Sequence, residues 1–175
     1  MLVNLTDVFS SEGKTLRMEV PIEMEEFQCR SGRFPLVQKT PVQFIFEYLS
    51  LNRARVSGRA EVVLDMQCDR CLKQVFQKVE LDFEREVSPV TEDIGEVSEE
   101  DDLGLMEGYQ LDTEVLVYNE LLMNQPEKVL CKDDCKGICK VCGQDLNDGE
   151  CGFDTFVPDP RMAVLQDIFN ANKEV

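Results

Sequence analysis

Hydrophobic and polar residues alternate with a period of two through much of the first half of the chain. Hydrophobic or small side chains occupy every second position over residues 16–22, 42–48 and 56–66. Because successive side chains of a strand point to opposite faces, this pattern predicts strands with one buried and one solvated face. The alternation stops at 67–72 and resumes over 75–87. This interruption predicts a long antiparallel hairpin with its tip at 67–72.

The spacing of hydrophobic residues becomes helical in the second half. Asp112 is predicted to cap a helix that ends before Pro126, and Asp159 is predicted to cap a second helix. The apolar stripes of these helices are Val115, Leu116, Tyr118, Leu121 and Leu122, and then Val164, Leu165, Ile168 and Phe169. The predicted fold class is α+β, with an antiparallel β-sheet, either a meander or a partly closed barrel, followed by helices and a small Cys-rich zinc-binding loop.

The formal net charge of −17 is concentrated in one segment. Ten acidic residues and no basic one lie between Glu92 and Glu114, so the rest of the chain carries only −7. Low hydrophobicity and self-repulsion predict a flexible linker over 89–108, with a docking strip for a basic partner as the alternative. The linker divides a β region at 1–88 from a region at 109–175 that holds a helix, the Cys-rich loop and a C-terminal helix. The parts are expected to pack as one overall domain.

The composition excludes most catalytic chemistry. The chain has no histidine, which removes histidine general bases, Ser-His and Cys-His nucleophile pairs, and histidine-ligated catalytic zinc. No catalytic residue and no small-molecule substrate is therefore predicted. The negative charge disfavours extensive contact with nucleic acid or anionic membranes. No apolar run reaches membrane-spanning length and residues 1–12 have no basic leader, so a cytoplasmic protein without membrane contact is expected.

Five cysteines close together near the C-terminal end predict a metal site. They lie within 21 positions and are Cys131, Cys135, Cys139, Cys142 and Cys151. Disulfides are disfavoured in a reducing compartment, whereas clustered thiolates in a polar loop are typical of structural zinc. Four of the five are expected to hold one zinc ion, which has a closed coordination shell and orders the loop. Redox thiols and unliganded buried cysteines are the alternatives.

Another Cys-x2-Cys pair, Cys68 and Cys71, lies at the predicted hairpin tip. It is interpreted as a second metal site, or as part of a site shared with two of the C-terminal cysteines. A structural turn is one alternative. A redox pair is another, because Arg70 and Lys73 would lower the thiol pKa, but the pair is not at the helix N-terminus that thioredoxin-type sites use. Cys29 stands alone and is interpreted as a small core or surface residue.

Basic residues gather on and near the predicted hairpin. They are Arg53, Arg55, Arg59, Arg70 and Lys73. A solvated face explains them, and a local patch that contacts phosphate groups or a partner is the alternative. Any contact with RNA is expected to be confined to this patch, because the remainder of the chain is acidic.

Several features follow one another in a distinctive order along the chain. They are the turn Cys68-Asp69-Arg70-Cys71-Leu72 between two strands, the acidic segment, the helix ending at Pro126, the run Leu130-Cys131-x3-Cys135-Lys136-Gly137-Ile138-Cys139-x2-Cys142-Gly143-x2-Leu146-Asn147, Cys151, and Asp159-Pro160-Arg161-Met162-Ala163-x-Leu165. Together they resemble the Cys-rich, metal-binding branch of the YceD family, the large ribosomal RNA subunit accumulation proteins. The resemblance implies a bacterial protein without enzymatic activity that promotes accumulation of the large ribosomal RNA.

Two positions depart from the pattern of this Cys-rich branch. The branch usually has proline where this chain has Lys140, and it usually ends in Cys-x-Cys, where this chain has Cys151-Gly152-Phe153. The chain therefore lacks one of the thiols that the resemblance would supply. The identity of the fourth ligand stays open.

The function expected from these features is that of a non-catalytic ribosome-assembly factor that binds a ribosomal protein or an assembly intermediate. Ten uncompensated carboxylates attract cationic protein tails and repel RNA, so the acidic segment is expected to shield a basic ribosomal protein. Two alternatives come from other classes. One is a thiol-redox protein that uses Cys68 and Cys71, and the other is a zinc-stabilised interaction module with no ribosomal role.

Overall fold

A computed structural model of the protein describes residues 1–90 and 104–153. Most of the predicted acidic linker and the whole predicted C-terminal helix lie outside these residues. The described elements, in chain order, are β1 (Leu2–Asn4), α1 (Thr6–Ser10), β2 (Thr15–Val20), β3 (Glu26–Cys29), β4 (Gly32–Lys39), β5 (Val42–Ser50), β6 (Arg53–Gln67), β7 (Gln74–Val87), β8 (Met106–Glu107), β9 (Gln110–Asp112) and α2 (Thr113–Asn124).

The long hairpin that the alternation predicts is formed by β6 and β7. The two strands pair antiparallel from Ala54 opposite Val87 to Gln67 opposite Gln74. Every even-numbered residue of β6 from 54 to 66 is buried, as the period of two predicts. Gly58 also lies on this buried face, and it has no room for a side chain, because a Cβ there would lie 2.3 Å from the ring of Phe83. The predicted strands over 16–22 and 42–48 are also confirmed, as β2 and β5.

The other edge of β6 is shared by two strands. β5 pairs with the first half of β6 and β4 pairs with the second half, and both pairings are antiparallel. β2 then pairs with β5, and β3 pairs with β4. Among the described strands, β2, β3 and β7 each have one partner. The described strands therefore form an antiparallel sheet that is not a closed barrel, and since β4 pairs with β6 and not with β5, the sheet is not a simple meander either.

The predicted helix at Asp112 is present as α2. The Asp112 carboxylate accepts hydrogen bonds from the backbone N–H groups of Glu114 and Val115, at 3.0 and 3.4 Å, and the helix ends before Pro126. Its buried face differs from the predicted stripe, since Leu122 is exposed. The residues buried on α2 are Thr113, Leu116, Val117, Glu120 and Leu121. This spacing of three and four residues places one face of α2 against β7 of the sheet.

The contacts of the chain divide it into two compact units. Unit 1 contains Met1–Gln67 and Gln74–Val129, and unit 2 contains Cys68–Lys73 and Leu130–Val175, of which residues up to 153 are described. This division differs from the predicted one, because α2 packs on the sheet and belongs to unit 1. The end of the predicted linker also differs, since it forms β8. None of the helices within residues 1–90 and 104–153 has the length and apolar character needed to cross a lipid bilayer.

Candidate metal centre

The tip of the hairpin is a tight turn built around Cys68 and Cys71. The backbone N–H of Leu72 donates to the carbonyl of Cys68 at 2.9 Å, and the N–H of Cys68 donates to the carbonyl of Lys73 at 2.8 Å. Leu72 has a φ of 61°, a left-handed conformation that closes the turn. Backbone N–H groups of Arg70 and Cys71 point at the Cys68 sulfur. The backbone N–H of Lys73 points at the Cys71 sulfur, so the turn presents two thiols and aims backbone donors at both.

The segment 139–144 forms the same kind of turn. The N–H of Gly143 donates to the carbonyl of Cys139 at 2.9 Å, and the N–H of Cys139 donates to the carbonyl of Gln144 at 2.8 Å. Gly143 has a φ of 75°, and the N–H of Val141 donates to the Cys139 sulfur at 3.4 Å. The two Cys-x2-Cys segments therefore share the same backbone geometry, although one follows a long strand and the other lies in an irregular loop.

Four sulfur atoms of unit 2 form a first group. The Sγ atoms of Cys68, Cys71, Cys131 and Cys135 all lie within 4.8 Å of one another. The sulfurs of Cys68 and Cys135 are 3.8 Å apart, and those of Cys71 and Cys131 are 3.4 Å apart. A tetrahedral ion with metal–sulfur bonds of about 2.3 Å places its ligands about 3.8 Å apart. The four thiols therefore fit a single tetrahedral metal ion.

Three further sulfur atoms form a second group in the same unit. The Sγ atoms of Cys139, Cys142 and Cys151 also lie within 4.8 Å of one another. Cys139 is buried, Cys151 is half-buried and Cys142 is exposed. The five C-terminal cysteines are thus divided between two groups, two in the first and three in the second. The first group has the composition expected for a site that the hairpin tip shares with two C-terminal cysteines, whereas no group contains four of the five C-terminal cysteines among the described residues.

The thiols of the first group have strongly divergent acidities. Burial acts to raise the pKa of Cys68, but N–H groups of Arg70, Cys71 and Cys131 point at its sulfur and hold the pKa at about 6. The neighbouring Cys71 thiol and burial raise the pKa of Cys131 to about 12. Four thiolates at this separation repel one another, so without a cation they do not all ionise. A divalent ion bound among them would compensate that charge and hold all four deprotonated.

A shell of polar contacts supports the first group. Asn147 donates from its side-chain amide to the Cys135 sulfur at 3.4 Å and to the Asp145 carboxylate at 2.7 Å. Lys73 lies 2.6 Å from that carboxylate, and its hydrogen bond lowers the pKa of Asp145 to about 2. Arg70 donates to the carbonyl of Cys135 at 2.6 Å. Such contacts fix the orientation of metal ligands. The sequence predicts no metal-supporting role for Asp145 or Asn147, because neither residue type nor spacing shows that they lie beside the Cys135 sulfur and Lys73.

The comparison with known families agrees with the arrangement of these cysteines along the chain. The family described as large ribosomal RNA subunit accumulation protein YceD matches residues 56–169, which is well over half of the sequence. The chain belongs to the YceD family. The match begins in β6 and includes every cysteine of both groups, so it confirms the resemblance to the YceD family.

The curated relatives of this YceD chain are mycobacterial. An uncharacterized protein of Mycobacterium bovis and uncharacterized proteins of two Mycobacterium tuberculosis strains are each 27% identical to it over 119 residues. The aligned region covers 68% of this chain and 57% of each relative. The chain therefore spans a little over half the length of the curated relatives it matches. No solved structure matches the chain.

The basic residues that the YceD chain places on and near its hairpin are largely engaged within the molecule. In unit 1, Arg55 and Arg59 pair with Glu84 and Asp82 of β7, each at 3.2 Å. In unit 2, the contacts of Arg70 and Lys73 support the first sulfur group, as described above. Arg53 is exposed. The positive charge predicted to be available for a partner is therefore mostly offset by neighbouring carboxylates and carbonyl groups.

Proposed function

We propose that this protein is a non-catalytic, zinc-binding assembly factor of the bacterial cytoplasm that promotes accumulation of the large ribosomal RNA by binding a basic ribosomal protein. Membership of the YceD family supports the ribosomal role, since the description of the family names accumulation of that RNA and names no chemical reaction. The zinc, the partner and the location are inferences from the cysteine geometry, the charge and the family.

The composition of the core of unit 2 carries the proposal. All buried residues of the hydrophobic core cluster belong to unit 1. In the described part of unit 2, the buried side chains of the hydrophobic class are all cysteines, namely Cys68, Cys71, Cys135 and Cys139. A segment this poor in aliphatic side chains gains little from the hydrophobic effect on folding. Zinc bound by thiolates supplies the missing stabilisation, with an apparent binding free energy of about 10 kcal/mol or more.

The chemistry of the first sulfur group favours a structural ion. Four thiolates close the tetrahedral shell of zinc and leave no position for a substrate or an activated water. The group accordingly serves to hold the hairpin tip and the loop at 130–135 together inside unit 2. This geometry favours a protein that acts as a passive scaffold. The sequence agrees, since it contains no histidine that could act as a general base or ligate a catalytic zinc ion.

The distribution of charge favours a basic protein as the partner. The segment from Glu92 to Glu114 has a charge of −10 without one compensating cation, and such a segment attracts cationic protein tails while it repels RNA. Two of the three arginines of β6 are poor candidates for phosphate contacts, because Glu84 and Asp82 already pair with Arg55 and Arg59. A ribosomal protein shielded from premature contact with RNA is the partner that fits both observations.

Depletion of the protein from its host should lower the ratio of mature large-subunit RNA to small-subunit RNA. The ratio is measured by electrophoresis or sequencing of total RNA after transcription of the gene is shut off, and restored wild-type protein should return it to normal. An unchanged ratio after complete depletion would refute the proposed function.

Two charge variants tested for complementation distinguish a protein partner from RNA. The first replaces the acidic residues Glu92, Asp93, Glu96, Glu99, Glu100, Asp101 and Asp102 by their amides and should fail to restore the ratio. The second replaces Arg53, Arg55 and Arg59 by glutamine and should restore it, because exposed ion pairs contribute at most about 1 kcal/mol each to stability. The opposite outcome would mean that the β6 arginines contact RNA.

The polar support of the first sulfur group predicts an effect of the Asp145→Asn substitution on zinc binding. Loss of the charge that holds Lys73 and orients Asn147 should weaken zinc binding about tenfold, as is typical when a contact behind a metal ligand is removed. Competition with a chromophoric chelator measures the affinity. The matched control is Asp148→Asn, because Asp148 is exposed and lies 3.7 Å from Lys73. Equal affinities for both variants and the wild type would contradict the supporting role of Asp145.

A further inference from the structure

β7 forms a long open edge of the sheet. The strand has 14 residues, and its register with β6 runs from one end to the other without a shift. Among the described residues, no strand pairs with its outer side. The sheet ends on its opposite side in β2 and β3, which have 6 and 4 residues. Proteins usually interrupt a long exposed edge with proline or a bulge, and β7 has neither. It is therefore able to pair with a further strand.

The register of the hairpin shows which main-chain groups of β7 point outward. The N–H of Thr40 donates to the carbonyl of Glu61 at 2.9 Å, and the N–H of Glu61 donates to the Thr40 hydroxyl at 2.8 Å, so both main-chain groups of Glu61 point away from β7. Glu80 lies opposite Glu61 in a pair without mutual hydrogen bonds, so the N–H and carbonyl of Glu80 point to the outer side. Because this orientation alternates along a strand, the even-numbered residues over 76–86 share it.

The side chains of these outward-pointing residues are mostly acidic. Glu80, Asp82, Glu84 and Glu86 occupy every second position, and all four are exposed. The first three remain 72%, 69% and 62% exposed although each already pairs with a cation of the hairpin. A second copy of β7 laid against this edge would place carboxylates opposite carboxylates, which is unfavourable. A strand with lysine or arginine at every second position would place cations opposite them. The charge therefore selects a basic strand.

We infer that an extended, basic segment of a ribosomal protein adds antiparallel to the outer side of β7 as a further strand. Its main chain bonds to the outward-pointing groups of β7, and its lysines or arginines lie opposite Glu80, Asp82 and Glu84. In such strand addition, main-chain hydrogen bonds supply affinity and alternate side chains supply specificity. The inference rests on the proposed function, because that function supplies the basic ribosomal protein. The acidic segment starts at Glu92, six positions after Glu86, so one partner can contact both regions.

Amide hydrogen exchange of the full chain, followed by NMR, tests the edge residue by residue. The probe is a peptide in which lysine and threonine alternate. The amides of Glu80, Asp82 and Glu84 should exchange rapidly in the free protein and become protected when the peptide is added, whereas those of Leu81 and Phe83, which point to β6, should be protected throughout. Protection of the three outward amides in the free protein would mean that the chain itself or a second copy covers the edge. That result, or an absence of added protection with the peptide, would overturn the inference.

Two N-methylated versions of the peptide separate strand pairing from attraction between charges. In antiparallel pairing, a lysine whose side chain lies opposite a carboxylate of β7 directs its own N–H at β7. Methylation of every lysine N–H should therefore weaken binding at least about tenfold relative to methylation of every threonine N–H, since several main-chain hydrogen bonds are lost. Both peptides have the same charge. Equal affinities in a fluorescence anisotropy titration would show that charge alone drives binding and would contradict strand addition.

A proline variant tests the edge within the protein. Asp82→Pro removes an outward N–H without removing a hydrogen bond to β6, and it should abolish peptide binding. Asp82→Asn is the matched control, because it retains the N–H and loses one exposed ion pair, and it should weaken binding only about twofold. Circular dichroism checks that Asp82→Pro retains its fold, and the two methylated peptides decide the question if it does not. A folded Asp82→Pro protein that restores the RNA ratio in a depleted host would overturn strand addition and leave the proposed function intact.

Discussion

Replacement of Cys68 by serine is expected to release one zinc ion per chain and to unfold the loop at 130–153. Cys68 is buried at the hairpin tip, and its sulfur lies 3.8 Å from that of Cys135. Loss of one of four thiolates opens the shell, and most of the roughly 10 kcal/mol that structural zinc contributes is then lost. Because the described part of unit 2 has no aliphatic core to replace it, the loop should become susceptible to proteases. Zinc analysis and limited proteolysis measure the two effects.

The same variant distinguishes the zinc site from a thiol-redox pair. A redox pair at Cys68 and Cys71 predicts that Cys68→Ser abolishes disulfide reductase activity and leaves the zinc content unchanged. Cys29→Ser is the control, because Cys29, like Cys68, is not in a disulfide but lies outside both sulfur groups. A Cys68→Ser protein with full zinc content and a protected loop would contradict the structural role.

Replacement of Arg85 by methionine is expected to destabilise unit 1 by about 3 kcal/mol. The Nε of Arg85 lies 2.7 Å from a carboxylate oxygen of Glu120, and the Glu120 side chain is only 4% exposed. Methionine preserves much of the hydrophobic stem but leaves this carboxylate without its cation beneath α2. Arg85 is 36% exposed, so the pair is half-buried, but removal of its cation leaves the buried Glu120 carboxylate uncompensated, which costs more than the loss of an exposed ion pair. Urea unfolding followed by circular dichroism measures the loss of free energy.

A double variant separates the ion pair from simple packing. Arg85→Met combined with Glu120→Gln removes both charges, so it should recover a large part of the stability that Arg85→Met loses. The arginine of an exposed pair, Arg59 with Asp82, provides the reference, and Arg59→Met should change stability by less than about 1 kcal/mol. Equal losses for Arg85→Met and Arg59→Met would mean that the Arg85–Glu120 pair contributes no more than an exposed pair does.

The strands of the long hairpin could be predicted because their signal is local. The period of two over 56–66 and 75–87 is interrupted only at the tip, and burial follows it closely in β6. The short β3 and the proline-containing β4 have no such run, and although they pair with each other across a tight turn, the pairing of β4 with β6 joins segments distant in sequence. Their pairing depends on tertiary contacts that a local pattern does not encode. The buried face of α2 could also be predicted only in part. Which side of the helix is buried depends on where it packs, and the helical spacing alone does not determine this.

The candidate metal centre could be predicted in its chemistry, and a site shared between the hairpin tip and two C-terminal cysteines was among the alternatives, but the sequence did not reveal which two. Cysteine spacing and the resemblance both indicate thiolate ligands, and all seven cysteines named for such sites lie in the two groups. Cys135 lies beside Cys68, 67 positions earlier in the chain, and Cys131 lies beside Cys71, 60 positions earlier. Only the fold brings such residues together. The supporting roles of Asp145 and Asn147 could not be predicted, because they depend on where the folded chain places these side chains and not on their spacing along the sequence.

The location of zinc in crystals of the full-length, zinc-loaded protein tests the central claim most directly. Anomalous diffraction at the zinc edge should place one ion about 2.3 Å from the sulfur of each of four residues. These are Cys68, Cys71, Cys131 and Cys135. An ion held only by cysteines of the C-terminal loop, with both thiols of the hairpin tip unliganded, would contradict the account.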